Sequence, residues 1–190
     1  MKDVEERAEA VLAGLPSYVW DGERLPVPVE DIANSGFGLL VRDVEDLGTA
    51  PGAPVLRDGQ SLSGLLLPAR GEIWVNAAEA RQWPPRRRFT IGHELGHWVM
   101  HRTGQQALFC RRSKVDETVT LPARDSAAAT SGTAVARDIE EEASAFAAAL
   151  LMPQWLFVRE HARCDGDVAT LCAAFGSSIA ATERRIASLF

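Results

Sequence analysis

The stretch His93-Glu94-Leu95-Gly96-His97 carries two histidines four residues apart. On a helix that spacing puts both imidazoles on one face, one turn apart. Two imidazoles so placed can bind one metal ion, and nitrogen donors suit the tetrahedral preference of Zn²⁺. Glu94 follows the first histidine, where its carboxylate can reach a water on that ion and serve as general base. This is the helix signature of a zinc metallopeptidase. The bland alternative is a pair of ordinary helix histidines beside a surface glutamate. Phe89, Ile91, Leu95, Trp98 and Val99 weigh against it, because they lay an apolar stripe along the same segment. The histidines then sit on a largely buried helix, where unpaired imidazoles need partners.

A catalytic zinc site needs a third protein ligand and an open position. His101 lies one turn beyond His97. A turn rises about 5.4 Å against a metal–nitrogen bond of about 2 Å, so a third histidine on a straight helix is out of reach. The bent H-E-x-x-H-x-x-G-x-x-H arrangement needs a glycine where this chain has Met100, which excludes that class. His101 reads instead as a helix-end residue near the negative pole of the dipole. The better source is the acidic segment from Asp138 to Met152, a strong helix ended by Pro153. Ala143, Phe146, Ala147, Leu150 and Leu151 define its inward face, and Glu140 lies at the edge of that face. A carboxylate there needs a cation or hydrogen bonds. Glu140 is therefore the expected third ligand, and Glu141 and Glu142 read as solvated charges near the helix start.

The rest of the chain bounds the function. Its 190 residues suit one domain with a small appendage, and 46% hydrophobic residues can build a core. The net charge of −6 argues against direct nucleic-acid binding. No apolar run approaches the roughly 20 residues of a membrane span. The first residues, Met1-Lys2-Asp3-Val4-Glu5-Glu6-Arg7, are charged and unlike a signal peptide, so a cytoplasmic location is expected. Cys110, Cys164 and Cys172 are odd in number and form no C-x-x-C, against a disulfide framework.

Periodicity places helices at 2–13, 29–35, 86–101, 138–152, 153–161, 167–175 and 178–189. Strands are expected over Phe37–Val44, Ser61–Leu67 and Glu72–Asn76, with a turn at Ala69-Arg70-Gly71. Residues 115–136 are small and polar and read as a long mobile loop. The expected fold is α+β: a small sheet of about three strands packed on a helical core, with helices at the C-terminal end. Residues 1–28 form an N-terminal helix and linker, and 29–190 the main domain. The basic runs Arg86-Arg87-Arg88 and Arg111-Arg112-Ser113-Lys114 read as a solvated helix start and loop rather than as a grip on an acidic partner. The last two helices have the outline of a helix-turn-helix. Arg184 and Arg185 are their only cations, so packing is the better role.

Taken together, Arg88-Phe-Thr-Ile-Gly-His-Glu-Leu-Gly-His-Trp98 with His101, and Glu140 to Pro153, resemble the ImmA/IrrE family of metallo-endopeptidases. The family pattern E-x-x-A-N-x-F-A-x-x-L-L-M-P falls on Glu140, Ala143, Ser144, Phe146, Ala147, Leu150, Leu151, Met152 and Pro153. Ser63-Gly64, Ile73-Trp74-Val75-Asn76 and the segment from Leu171 to Ile186 also fit. The resemblance implies a zinc site of His93, His97 and a distal Glu140, with Glu94 as catalytic base. It further implies cytoplasmic cleavage of a helix-turn-helix repressor in a stress or mobile-element response. Ser144 replaces the usual Asn, which resembles an orienting partner of a ligand histidine. Being shorter, serine leaves that orientation to water or another group. An alternative is a non-proteolytic, zinc-bearing module that senses a signal or holds a repressor. A third reading is a metal site that serves only the fold. No oxyanion partner is named by the sequence, with His161 and nearby arginines as candidates. Glu72–Asn76 is the candidate edge strand for an extended substrate.

Overall fold

The computed structural model describes the backbone of residues 2–50, 60–101, 108–113 and 131–190. Within them the chain runs α1 (Lys2–Ala13), α2 (Val29–Asp31, continued by a wider turn over Ile32–Gly36), β1 (Leu40–Val44), β2 (Gln60–Leu67), β3 (Glu72–Asn76), α3 (Ala77–Gln82), α4 (Pro84–Met100), β4 (Leu108–Ser113), α5 (Ser131–Leu151), α6 (Gln154–Arg163), α7 (Val168–Phe175) and α8 (Ile179–Leu189). The fold is α+β, as the hydrophobic periods require.

Four strands form one sheet in the order β1-β3-β2-β4. β1 runs parallel to β3, and β2 runs antiparallel to both β3 and β4. This corrects the expected edge: β3 is paired on both sides, and β4 is the outer strand next to β2. Among the described residues the sheet has four strands, where about three were expected. The β2–β4 register slips between Leu62 and Gly64, leaving Ser63 at an irregularity. β3 buries alternate residues, Ile73 and Val75, as a strand with one covered face should.

α4 lies between the sheet and α5. Ile91 and Leu95, fully buried, belong to the main core together with Phe146, Leu150, Phe157 and Phe175. At i, i+4 spacing, Val4, Ala8 and Leu12 turn one face of α1 into the same core. Arg185, itself buried, fastens three elements. Its Nε donates to the Met152 carbonyl at 2.9 Å, and its terminal nitrogens pair with Glu5 on α1.

Several boundaries differ from expectation. The Phe37–Val44 strand begins only at Leu40, because Gly38 turns the chain with φ +67°. α3 follows β3 directly, capped by Asn76, whose side chain accepts the Glu79 backbone N–H at 3.1 Å. Most of the expected loop over 115–136 lies outside the described residues. Its last part does not form a loop, since α5 already begins at Ser131. No helix among the described residues is long and apolar enough to cross a membrane.

Candidate metal centre

Two prolines open α4, at positions where the missing N–H groups have no helical acceptor. The helix runs straight through His93 and His97 and ends at His101, whose backbone N–H still bonds the His97 carbonyl at 2.9 Å. Both motif histidines are buried, and Glu94 is fully so.

What brings α5 to this face is the absence of side chains. Gly92 and Gly96 stand one turn apart on α4, opposite Ala147 and Ala143, one turn apart on α5. A Cβ on Gly92 would stand 3.3 Å from Ala147 Cβ, and one on Gly96 only 3.0 Å from the Ala143 carbonyl oxygen. Small residues on both helices let the backbones approach. Glu140, three residues before Ala143, is then delivered to the two histidines.

The resulting cluster is tight. His93 Nε2 and His97 Nε2 are 3.0 Å apart, with the rings nearly perpendicular at 85°. Glu140 Oε2 lies 3.2 Å from His93 Nε2, and Oε1 lies 3.3 Å from His97 Nε2. One ligand atom from each of the three residues lies within 4.8 Å of the others, so the group could hold a metal ion. Two nitrogen donors and one carboxylate converging on one point suit a divalent cation such as zinc. His93 Nδ1 lies 3.3 Å from Ser144 Oγ, and with a metal on Nε2 the proton of the neutral ring would sit on Nδ1 and be donated to that hydroxyl. His97 Nδ1 is buried and has no hydrogen-bond partner among the described residues.

Electrostatics sort the groups. Burial acts to raise the Glu140 carboxyl, but hydrogen bonds from His93 and His97 outweigh it and hold the group down at about 2. Burial lowers His93, with the neighbouring His97 and Arg86 charges adding to the effect and Glu140 opposing it. A lowered imidazole is neutral at pH 7 and free to act as a ligand. Glu94 moves the other way. Burial and then the Glu140 charge push it well above the ordinary carboxyl range, against the weak help of the Leu66 main-chain donor. Neither Glu94 oxygen has a hydrogen bond of normal geometry.

From the sequence, Ser63-Gly64 counts only toward the family resemblance, with no role beside Glu94. Gly64 on β2 faces it: a Cβ there would overlap Thr90 Cγ2 and come within 2.9 Å of Glu94 Oε1. Next to it, Ser63 Oγ accepts from Arg86 at 3.1 Å, and Arg86 also pairs with Glu79 at 3.5 Å. The glycine within a strand pattern was the available signal, since it marks close approach of another group.

Matching residues 56–187, the model of the IrrE N-terminal-like domain, Peptidase M78, covers more than two thirds of the chain. The chain belongs to this family. Both α4 and α5 fall within the matched span, so this IrrE-like domain has the two helices and the donor cluster of a metallopeptidase. No curated protein matches the chain.

Other expected features of the IrrE-like domain sit differently. His101 Nε2 faces Glu142 Oε2 at 3.4 Å, one turn away from the donor cluster. Glu142 is thus paired with His101 rather than simply solvated. His161 stacks on Phe190, with ring centroids 4.3 Å apart, where α6 meets the end of the chain. That contact engages its ring outside the cluster. The Arg86–Arg88 run is not a solvated helix start. Arg87 bonds Glu30 at 2.6 Å and Asp43 at 2.9 Å, and Arg88 donates to the Val27 carbonyl at 2.7 Å. The second basic run, 111–114, and Cys110 have no described side chains.

Proposed function

We propose that the protein is a zinc-dependent endopeptidase that cuts a regulatory protein, a helix-turn-helix transcriptional repressor, in the cytoplasm as part of a stress or mobile-element response. His93, His97 and Glu140 would hold the zinc. The single observation that carries the catalytic reading is Glu94, a fully buried carboxylate beside a three-donor cluster, whose oxygens have no hydrogen bond of normal geometry among the described residues. A site serving only the fold has no use for such a group and would close its fourth position with protein. Among the described residues the cluster offers three donors and no fourth.

Bound there, zinc supplies Lewis acidity and eases ionisation of water. The chain's own residues do the rest. Glu94 takes the proton of the attacking water on a carboxylate oxygen and passes it to the leaving amine. Burial raises its affinity for protons in the metal-free protein, which favours a carboxyl that holds the proton between the two transfers. Gly64 keeps the space in front of Glu94 clear. Ser144 fixes the ring of His93 so that Nε2 faces the metal. The outer edge of β4, next to β2, is the strand edge along which an extended peptide would align.

The test is to incubate the zinc-loaded protein with any helix-turn-helix repressor found encoded beside its gene and to map products by mass spectrometry. A single internal cut supports the reading. An intact repressor held in a stable complex would replace it with a binding module that does not cleave.

A further inference from the structure

A cavity of about 400 Å³ opens between the start of α4, the end of α5 and the α7–α8 junction. Trp83, Phe89, Met152 and Phe175 supply apolar walls, and Arg86 and Arg184 are its charged members. Among the described residues no acidic one lines it, although the chain as a whole carries net charge −6. The Arg86 head group is committed to Ser63 and Glu79. Arg184 is exposed and has no ion pair among the described residues, so its charge is available to a ligand.

The cavity shares a face with the metal cluster. At 100° per residue, Phe89 lies about 40° and Arg86 about 20° around α4 from His93. The Phe89 ring leans on the His93 ring, with centroids 6.2 Å apart. His93 stands seven positions after Arg86, a rise of roughly 10 Å along the helix. An extended peptide covers that distance in about three residues. Size, apolar walls and one uncommitted cationic side chain are those of a ligand pocket rather than of a packing defect.

We propose that this cavity is a subsite of the cleft that takes a bulky apolar side chain of the substrate with a carboxylate beside it, about three residues from the bond that is cut. The assignment rests on the peptidase reading above. Arg184 pairs with the carboxylate, and the aromatic walls hold the apolar side chain. Ala180 precedes Arg184 by one turn on α8 and also lines the cavity, so a large side chain there would fill the entrance.

Binding can be read without cleavage. Anilinonaphthalene sulfonate, an anionic apolar dye, should fluoresce on adding the folded protein. N-acetyl-glutamyl-phenylalaninamide should displace it, and N-acetyl-lysyl-phenylalaninamide should not at the same concentration. Arg184→Glu should make displacement by the glutamyl compound roughly tenfold weaker, as loss of a charge-assisted contact implies. Ala180→Trp should abolish the dye signal. Circular dichroism and zinc content of each variant are measured alongside to show that the fold is kept. Equal displacement by both dipeptides, or a dye signal indifferent to both substitutions in folded protein, overturns the proposal. Specific displacement by the glutamyl compound from a protein that cuts no peptide would sink the peptidase reading and leave the pocket standing.

Discussion

Gly96 of α4 and Ala143 of α5 are in backbone contact: a Cβ on Gly96 would stand 3.0 Å from the Ala143 carbonyl oxygen and 3.1 Å from its Cα. This contact, more than any side chain, sets the distance from Glu140 to the histidines. Gly96→Ala must push the helices apart by a few tenths of an ångström, an overpacking that costs about 1–3 kcal/mol. Because Glu140 rides on the displaced helix, zinc affinity should fall together with stability. Thermal melting and a competitive chelator titration would show both. Wild-type melting and wild-type affinity in this variant would contradict the account of how the cluster is assembled.

Gly64 sets the other wall. Gly64→Ala places a methyl group against Thr90 Cγ2 and near Glu94 Oε1. The expected result is loss of turnover greater than loss of zinc, since Glu94 is disturbed more directly than the ligands. Thr90→Ser removes the Thr90 methyl, and adding it to Gly64→Ala should recover part of the lost stability. A double-mutant cycle on melting temperature tests this. Simple additivity of the two changes would mean that the predicted overlap does not occur.

How much of this is legible in the chain itself depends on whether the information is local. α4 and α5 can be read from their residues because each carries a helical apolar face and a terminating proline or polar end. The donor group follows from them, since i, i+4 spacing fixes His93 and His97, and the angle around α5 fixes Glu140. α3 was also within reach. Asn76 followed three residues later by Glu79 is a helix-start pattern, and Ala77–Gln82 consists of good helix formers. β4 was not, because Leu108–Ser113 neither alternates nor forms a long apolar run. It exists as a strand by pairing with β2, more than 40 residues earlier. The interior position of β3 is likewise a property of strand order. The contacts of Gly92 and Gly96 and the internal pairs of Arg86, Arg87 and Arg88 join elements distant in sequence, so no local pattern announces them; Gly64, a glycine inside a strand, does signal a close approach but not its partner.

Ser144 should matter through His93. Ser144→Ala removes the acceptor 3.3 Å from His93 Nδ1. Loss of such an orienting contact typically weakens metal binding by about 10–100-fold. Ser144→Asn, which restores the residue usual in the resembling family, should bind zinc at least as well as the wild type. Metal affinity unchanged by Ser144→Ala would free His93 from this partner.

The metal-free protein should show opposing pH dependences. Glu94 has a raised folded-state pKa, so it binds more protons folded than unfolded, and stability falls as pH rises above the ordinary 4.5. His93 has a lowered one, so stability falls as pH drops below the ordinary 6.5. Glu94→Gln removes the first effect. In the presence of chelator, its melting temperature should exceed that of the wild type by a margin that widens from pH 5 to pH 8. For a chain of this size each kcal/mol corresponds to about 2–4 °C. A margin that stays constant with pH would contradict the buried, ionisable state of Glu94.

The central claim is that Glu94 acts on water beside a metal held by other residues. It is tested most directly by measuring zinc content and repressor cleavage on the same Glu94→Gln preparation. The account predicts zinc bound as in the wild type, by elemental analysis, and no cleavage product by mass spectrometry. Zinc retained with cleavage undiminished would contradict it.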